Sequence, residues 1–191
     1  MAAPKDLHYP PGSLVLIAGL PGAGKSTMLR RLYRLRGDET EPVPAGNARV
    51  IDSIQSRNWW ARYLGPLPPR ARIPLVYTTH VWRVARALWA GHGVVAHTRG
   101  TRPTLLRGFS WLTRMRGVEL HLILLDVEPQ TARAGQHSRG RVLTGPVFAR
   151  HCRHWRALLA RTRAGTPAPA TSVTVLDRTA ADRLHGIHFD A

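Results

Sequence analysis

The octapeptide Gly19-Leu20-Pro21-Gly22-Ala23-Gly24-Lys25-Ser26 constrains this chain more than any other segment. It has the spacing G-x-x-x-x-G-K-[ST], and its flanks are the ones that spacing requires. Before it, Leu14-Val15-Leu16-Ile17-Ala18 is a short unbroken apolar run, the pattern of a strand buried on both faces. After it, Met28, Leu29, Leu32 and Leu35 fall on one stripe of an amphipathic helix over 26–36. A strand, a glycine-rich turn and a helix N-terminus together make an anion cradle. The glycines let backbone N–H groups turn inward around phosphate oxygens, and the helix presents the positive end of its dipole. Gly19, Pro21, Gly22, Ala23 and Gly24 are therefore expected to wrap the phosphates of ATP. Lys25 is expected to reach the β- and γ-phosphates, Ser26 to ligate Mg²⁺, and Thr27 to support the helix start.

The remaining sequence alternates short apolar runs with helical stripes. Arg49-Val50-Ile51, Gly93 to His97, Leu120 to Leu125 and Val173 to Leu176 read as further strands. Helical patterns cover 53–64, 75–90, 103–116 and 147–163. The second has a stripe through Val81, Val84, Ala85, Leu88 and Trp89, and the third turns Leu105, Leu106, Phe109 and Leu112 inward. Such alternation predicts an α/β fold, a parallel sheet with right-handed crossovers and ligands beyond the carboxyl ends of the strands. Residues 1–12 read as a loose leader and 37–46 as a connection. The segment 65–74 carries Pro66, Pro68, Pro69 and Pro74 and is expected to be loop at its centre. The length of 191 residues suits a single domain, 1–191. No apolar run is long enough for a membrane span, and the polar start does not read as a signal peptide. A lone Cys152 excludes an intramolecular disulfide, so a reducing, cytoplasmic setting is expected.

Charge narrows the function classes less than its size suggests. The net charge is +17, and 26 of the 28 basic residues are Arg. Arg scattered among Ala, Gly and Pro fits GC-rich coding and attraction to an anionic ligand, and a nucleic-acid surface stays open beside it. The acids are more informative because they are few. Asp52 is the one carboxylate between Glu41 and Glu119, and it stands where the second strand should end. A hydroxyl acceptor of a phosphoryl group needs a neighbouring base, and Asp52 is placed for that role. It is equally a natural N-cap for the helix from Ser53, and both roles can hold together. Asp126 opens a turn before Pro129, and Asp177 precedes Arg178 near where this fold class holds the nucleotide base. The third strand ends on His97 with no acid beside it. Imidazole is a poor Mg²⁺ ligand, so the ion is expected on Ser26, phosphates and water, with His97 orienting a water or packed at the strand end. Lack of an acid there argues against a hydrolysis-driven motor.

Arg133, Arg139 and Arg141 follow the fourth strand, with Gly135 and Gly140 among them. Planar guanidinium donors match phosphate oxygens, so a lid over 127–146 is expected to close on the triphosphate. At this point the chain resembles the P-loop kinases related to zeta toxins and polynucleotide kinase, a plan shared by chloramphenicol phosphotransferase and gluconate kinase. The phosphate loop, Asp52, Val94-Val95-Ala96-His97-Thr98 with Arg102 downstream, and the Arg-rich lid carry the resemblance over about 13–178. Gly135-Gln136 with Arg139-Gly140-Arg141, then Phe148, His151 and Trp155, are similar to a zeta-like branch of bacterial ATP-binding proteins. The resemblance implies a P-loop NTPase three-layer sandwich of five parallel strands in order 2-3-1-4-5. It also implies Lys25 on phosphate, Asp52 as base, and Arg139 or Arg141 on the γ-phosphate.

Residues between Asp52 and the third strand should line the acceptor pocket, and Arg57, Trp59, Trp60 and His80 are the candidates, with His97 and Arg102 beyond. The expected activity is ATP-dependent phosphorylation of a small-molecule hydroxyl. A polynucleotide 5′-hydroxyl kinase and an ATP-binding regulatory or toxin-like protein without an acceptor are the alternatives.

Overall fold

The computed structural model describes residues 5–64, 67–97, 103–138, 140, 142–165 and 169–190, the side chains of 69, 70 and 103 excepted. Eight strands run along the described chain: β1 (Asp6–His8), β2 (Leu14–Gly19), β3 (Val43–Ala45), β4 (Ala48–Ile51), β5 (Gly93–His97), β6 (Leu120–Leu125), β7 (Ser172–Leu176) and β8 (Gly186–His188). Six of them form the central sheet, in the order β3-β4-β5-β2-β6-β7. β2 and β6 are buried at every position, as strands covered on both faces are, and β6 buries His121 within its otherwise apolar run. β4, β5, β2, β6 and β7 are parallel. These are the five strands read from the sequence.

Handedness distributes the helices. The step from β2 across β5 to β4 carries α1 (Lys25–Tyr33), and the steps back through β5 to β6 carry α2 (Ser53–Ala61), α3 (Pro69–Trp89) and α4 (Pro103–Arg116) on the opposite face. α5 (Pro129–His137) and α6 (Gly145–Arg163) lie between β6 and β7, and α7 (Arg178–Arg183) follows β7. Side chains tie each layer: Arg31 donates to the Ala181 carbonyl at 2.6 Å, joining α1 to α7, and Arg116 donates to the Leu88 carbonyl at 3.3 Å, joining α4 to α3.

Several expectations are corrected here. The central sheet has six strands, because part of the 37–46 connection forms β3 and pairs antiparallel with β4. A two-residue turn, Gly46-Asn47, joins them, with Gly46 at φ 57°, and Pro44 is tolerated because β3 is an edge strand. The leader is ordered from Asp6: β1 pairs in parallel with β8 in a separate two-stranded ladder. Hydrophobic patterning over three residues is too short to announce such a strand. α1 ends at Tyr33 because Arg34 turns left-handed at φ 52°, and Leu35 is buried beyond the helix rather than within it. α3 starts at Pro69, so the proline-rich segment is helical from its middle onward; a proline at the first helical position gives up no hydrogen bond. Pro74 sits inside the helix. Trp89, placed on the inward stripe, is 53% exposed and lies under the Arg116 guanidinium, while Val84 and Leu88 carry the buried face.

Candidate active site

The phosphate loop has the geometry its glycines allow. Gly22 and Gly24 stand at φ 93° and 99°, conformations other residues resist. Gly24 is the N-cap of α1, so the helix opens directly onto the loop. A methyl group on Gly22 would collide with the Ala132 carbonyl, and one on Gly135 would collide with the Gly22 carbonyl. Lys25 is buried and donates to the carbonyls of Gly19 and Leu20 at 2.8 and 2.9 Å, which holds its ammonium inside the turn. Ser26 is half-buried on the first turn of α1 and Thr27 is exposed beside it. Arg178 reaches the loop: its Nη1 would lie 3.1 Å from a methyl group on Gly24, and its Nε donates to Asp182 at 3.1 Å.

The ends of β4 and β5 meet the loop at Asp52 and His97. Asp52 N-caps α2: its Oδ1 accepts the Ile54 N–H at 2.8 Å, and the Gln55 side chain accepts the Asp52 N–H at 3.1 Å, completing a capping box. The cap leaves Oδ2 buried with no hydrogen-bond partner. Burial alone would raise this carboxyl. The charge of His97, the Ile54 N–H and the nearby Ser26 hydroxyl outweigh burial and hold it below the usual carboxylate range. His97 Nε2 lies 3.5 Å from the Ser26 hydroxyl, 3.4 Å from the Ser53 hydroxyl and 3.6 Å from Asp52 Oδ1. One imidazole edge therefore joins the phosphate-loop helix to the strand-end acid. Both roles read for Asp52 in the sequence are compatible with this position.

Of the acceptor candidates, His80 lies deepest. It is buried, donates from Nε2 to the His97 carbonyl at 3.1 Å, and supports His97 from behind instead of lining an open pocket. Burial, with the charge of His97, pushes its pKa down to about 4, so it stays neutral. Trp60 is half-buried, donates to the Thr79 hydroxyl at 2.8 Å and meets Trp59 edge-on, a packing role. Arg57 is half-buried on α2. Asp126 accepts from Trp155 and Arg163, and Asp177 caps α7 through the Ala180 N–H.

The first half of the lid segment is helical. α5 occupies 129–137, and Gly135 serves close packing on the phosphate loop instead of a hinge. Gln136, which the sequence reading quoted without a role, donates to the Pro21 carbonyl at 2.9 Å and accepts the Leu143 N–H at 3.0 Å. The signal for it was its place beside Gly135. Arg133 lies over the Phe148 ring of α6 at 5.8 Å, a contact that turns it toward α6. Arg102, Arg139 and Arg141 lie outside the described residues. Among the described residues, no group of three or more His, Cys, Asp or Glu side chains is placed to hold a metal ion, and no helix is long and apolar enough to cross a membrane. A Mg²⁺ ion held by one protein hydroxyl, phosphates and water fits the donor set at Ser26.

A parallel α/β sheet with this loop at the end of its central strand defines the P-loop nucleotide-binding fold. The chain belongs to the AAA domain family (AAA_33), whose model matches residues 14–164. Three solved structures share the fold. The PezAT chromosomal toxin–antitoxin system of Streptococcus pneumoniae aligns over 90% of this chain and 70% of that one, with a TM-score of 0.60 and 16% identity. The tunicamycin resistance protein of Deinococcus radiodurans aligns over 90% and 87%, with a TM-score of 0.50 and 12% identity. A chain of the Pnkp1/Rnl/Hen1 RNA repair complex aligns over 82% of this chain and 46% of its own length, with a TM-score of 0.54 and 16% identity. No curated protein matches the sequence.

Proposed function

We propose that this protein is an ATP-dependent phosphotransferase that moves the γ-phosphate of ATP to a hydroxyl group of a small molecule. One observation carries the proposal: a buried carboxylate, held ionised at the end of β4 beside Ser26, with one oxygen uncommitted. Its capping bonds use Oδ1 and the backbone, so Oδ2 remains to orient an acceptor hydroxyl and take its proton. The acceptor oxygen bonds to the γ-phosphorus, the bond to the β-phosphate oxygen breaks, and ADP leaves. Gly19 to Ser26 would wrap the phosphates, Lys25 would neutralise charge on the transferring group, and Ser26 would hold Mg²⁺, which would supply further charge neutralisation. Arg178, against Gly24, is suited to the nucleotide side. Arg139 and Arg141 are assigned the γ-phosphate clamp, Arg133 a further contact to the nucleotide, and Arg57, Trp60 and Arg102 the acceptor side. His97 and His80 position Asp52 and the strand end. The sheet, the phosphate loop and the family support the class; the acceptor is named only by its hydroxyl.

γ-Labelled ATP with Mg²⁺ and a cell extract containing metabolites and RNA tests this, wild type beside Asp52→Asn. Label entering a small acceptor with wild type alone is expected. Label in RNA replaces the acceptor class by a polynucleotide. ATP binding by both proteins without any transfer overturns the kinase reading in favour of a nucleotide-dependent switch.

A further inference from the structure

The outer groove between α2 and α3 takes no part in the reaction described above. It encloses about 460 Å³ and is walled by Trp59, Trp82, Arg83, Arg86 and Glu41. That volume suits one small organic molecule. Trp59 is seven residues after the helix cap Asp52, so the groove stands roughly 10 Å along α2 from the phosphate edge.

Arg83 is the unusual element. Its side chain is only 4% exposed. One Nη donates to Glu41 at 2.9 Å, the other reaches the Ser56 hydroxyl at 3.5 Å, and Nε is buried with no hydrogen-bond partner. A guanidinium carries five N–H donors, and a buried cation left partly unsatisfied is costly. The carboxylate that compensates it, Glu41, is 65% exposed at the groove mouth and can swing into water. A second cation, Arg86, lies 5.3 Å above the ring of Trp82, which is itself 55% exposed. Positive charge at the base and indole faces on the walls select a flat ring carrying an acid group.

We propose that this groove is a binding site for a planar aromatic anion, whose carboxylate or phosphate replaces Glu41 on Arg83 while its ring stacks on Trp82. The site is independent of phosphoryl transfer, so it stands or falls separately from the kinase assignment. Neutral rings lack the charge, and inorganic anions lack the stacking surface.

Calorimetric titration of the whole protein with 2-naphthoate and 1-naphthyl phosphate tests it, with 2-naphthamide and inorganic phosphate as controls and ATP present to cover the phosphate loop. One or both aromatic acids are expected to bind at a single site, and the tighter one identifies the headgroup. Trp82→Ala, at an exposed position, is expected to weaken binding about tenfold. Glu41→Gln is expected to tighten it severalfold, because the resident competitor for Arg83 is gone. Equal binding of naphthoate and naphthamide, no tightening in Glu41→Gln, or no binding at millimolar concentration overturns the site.

Discussion

The Nε2 atom of His97 and Oδ1 of Asp52 lie 3.6 Å apart at the ends of adjacent parallel strands. A strand-end imidazole thus stands against a strand-end carboxylate, within reach of the hydroxyl that opens α1. This arrangement keeps the acid charged in a buried place and leaves its second oxygen without a hydrogen-bond partner.

Replacing Asp52 by Asn separates its two roles. Asn is as good an N-cap as Asp, so the bond to the Ile54 N–H survives and the melting temperature is expected to stay within a few degrees. Phosphoryl transfer is expected to fall by about 100-fold or more, because the amide cannot take a proton. ATP affinity, read by calorimetry, is expected to change only a few-fold.

Gly135→Ala tests the contact between α5 and the phosphate loop. The added methyl meets the Gly22 carbonyl, and the backbone there must move. ATP affinity is expected to drop about tenfold and stability by about 1–3 kcal/mol, although residue 135 lies outside the loop motif. Gly108→Ala on α4, where nothing crowds the position, is expected to leave ATP binding unchanged and to stabilise by up to about 1 kcal/mol.

Acid should weaken the fold before it protonates Asp52. Burial pushes His80 down to about 4, against an unfolded value near 6.5. Between those values the unfolded chain binds the extra proton, so stability is lost as pH falls through that window, on the order of 3 kcal/mol in all. Asp52, held low, loses its contribution only at pH below its ordinary range. Urea midpoints at pH 7 and pH 4.5 are expected to differ in wild type and to converge in His80→Gln. A residual slope is expected from His121, which burial also pushes down despite Glu119.

Pro74→Ala restores an N–H to the interior of α3. A mid-helix proline costs about 3 kcal/mol, partly offset by its stiffening of the unfolded chain, so a gain of about 1–2 kcal/mol in chemical denaturation is expected. Failure to gain would mean that packing around Pro74 offsets the missing hydrogen bond.

β2, β5 and β6 were legible because each is a mostly apolar run buried at nearly every position, and a strand covered on both faces has no polar side to confuse the pattern. The phosphate loop was legible because its chemistry demands a fixed spacing. Asp52 could be found by scarcity, as the lone acid in a long stretch. The partners of His97 could not, since Ser26, Ser53 and His80 come from three different helices. Gln136 was hidden for the same reason: its two bonds cross to Pro21 and Leu143, and only the fold brings those backbones together. The start of α3 was misjudged because proline opposes a helix interior but suits its first position.

The β1–β8 ladder joins residues 6–8 to 186–188, with Tyr9 donating its N–H to the His188 carbonyl and His8 paired to Asp190 at 2.7 Å. During synthesis, β1 emerges first and must wait for nearly the whole chain before its partner exists. The phosphate loop and all six sheet strands leave the ribosome earlier, so the sheet can assemble while β1 is still unpaired. Closing so long a loop adds little once the intervening fold has brought the ends together, whereas it would be slow from an unfolded chain. The ladder can therefore close only after every strand of the central sheet has been made.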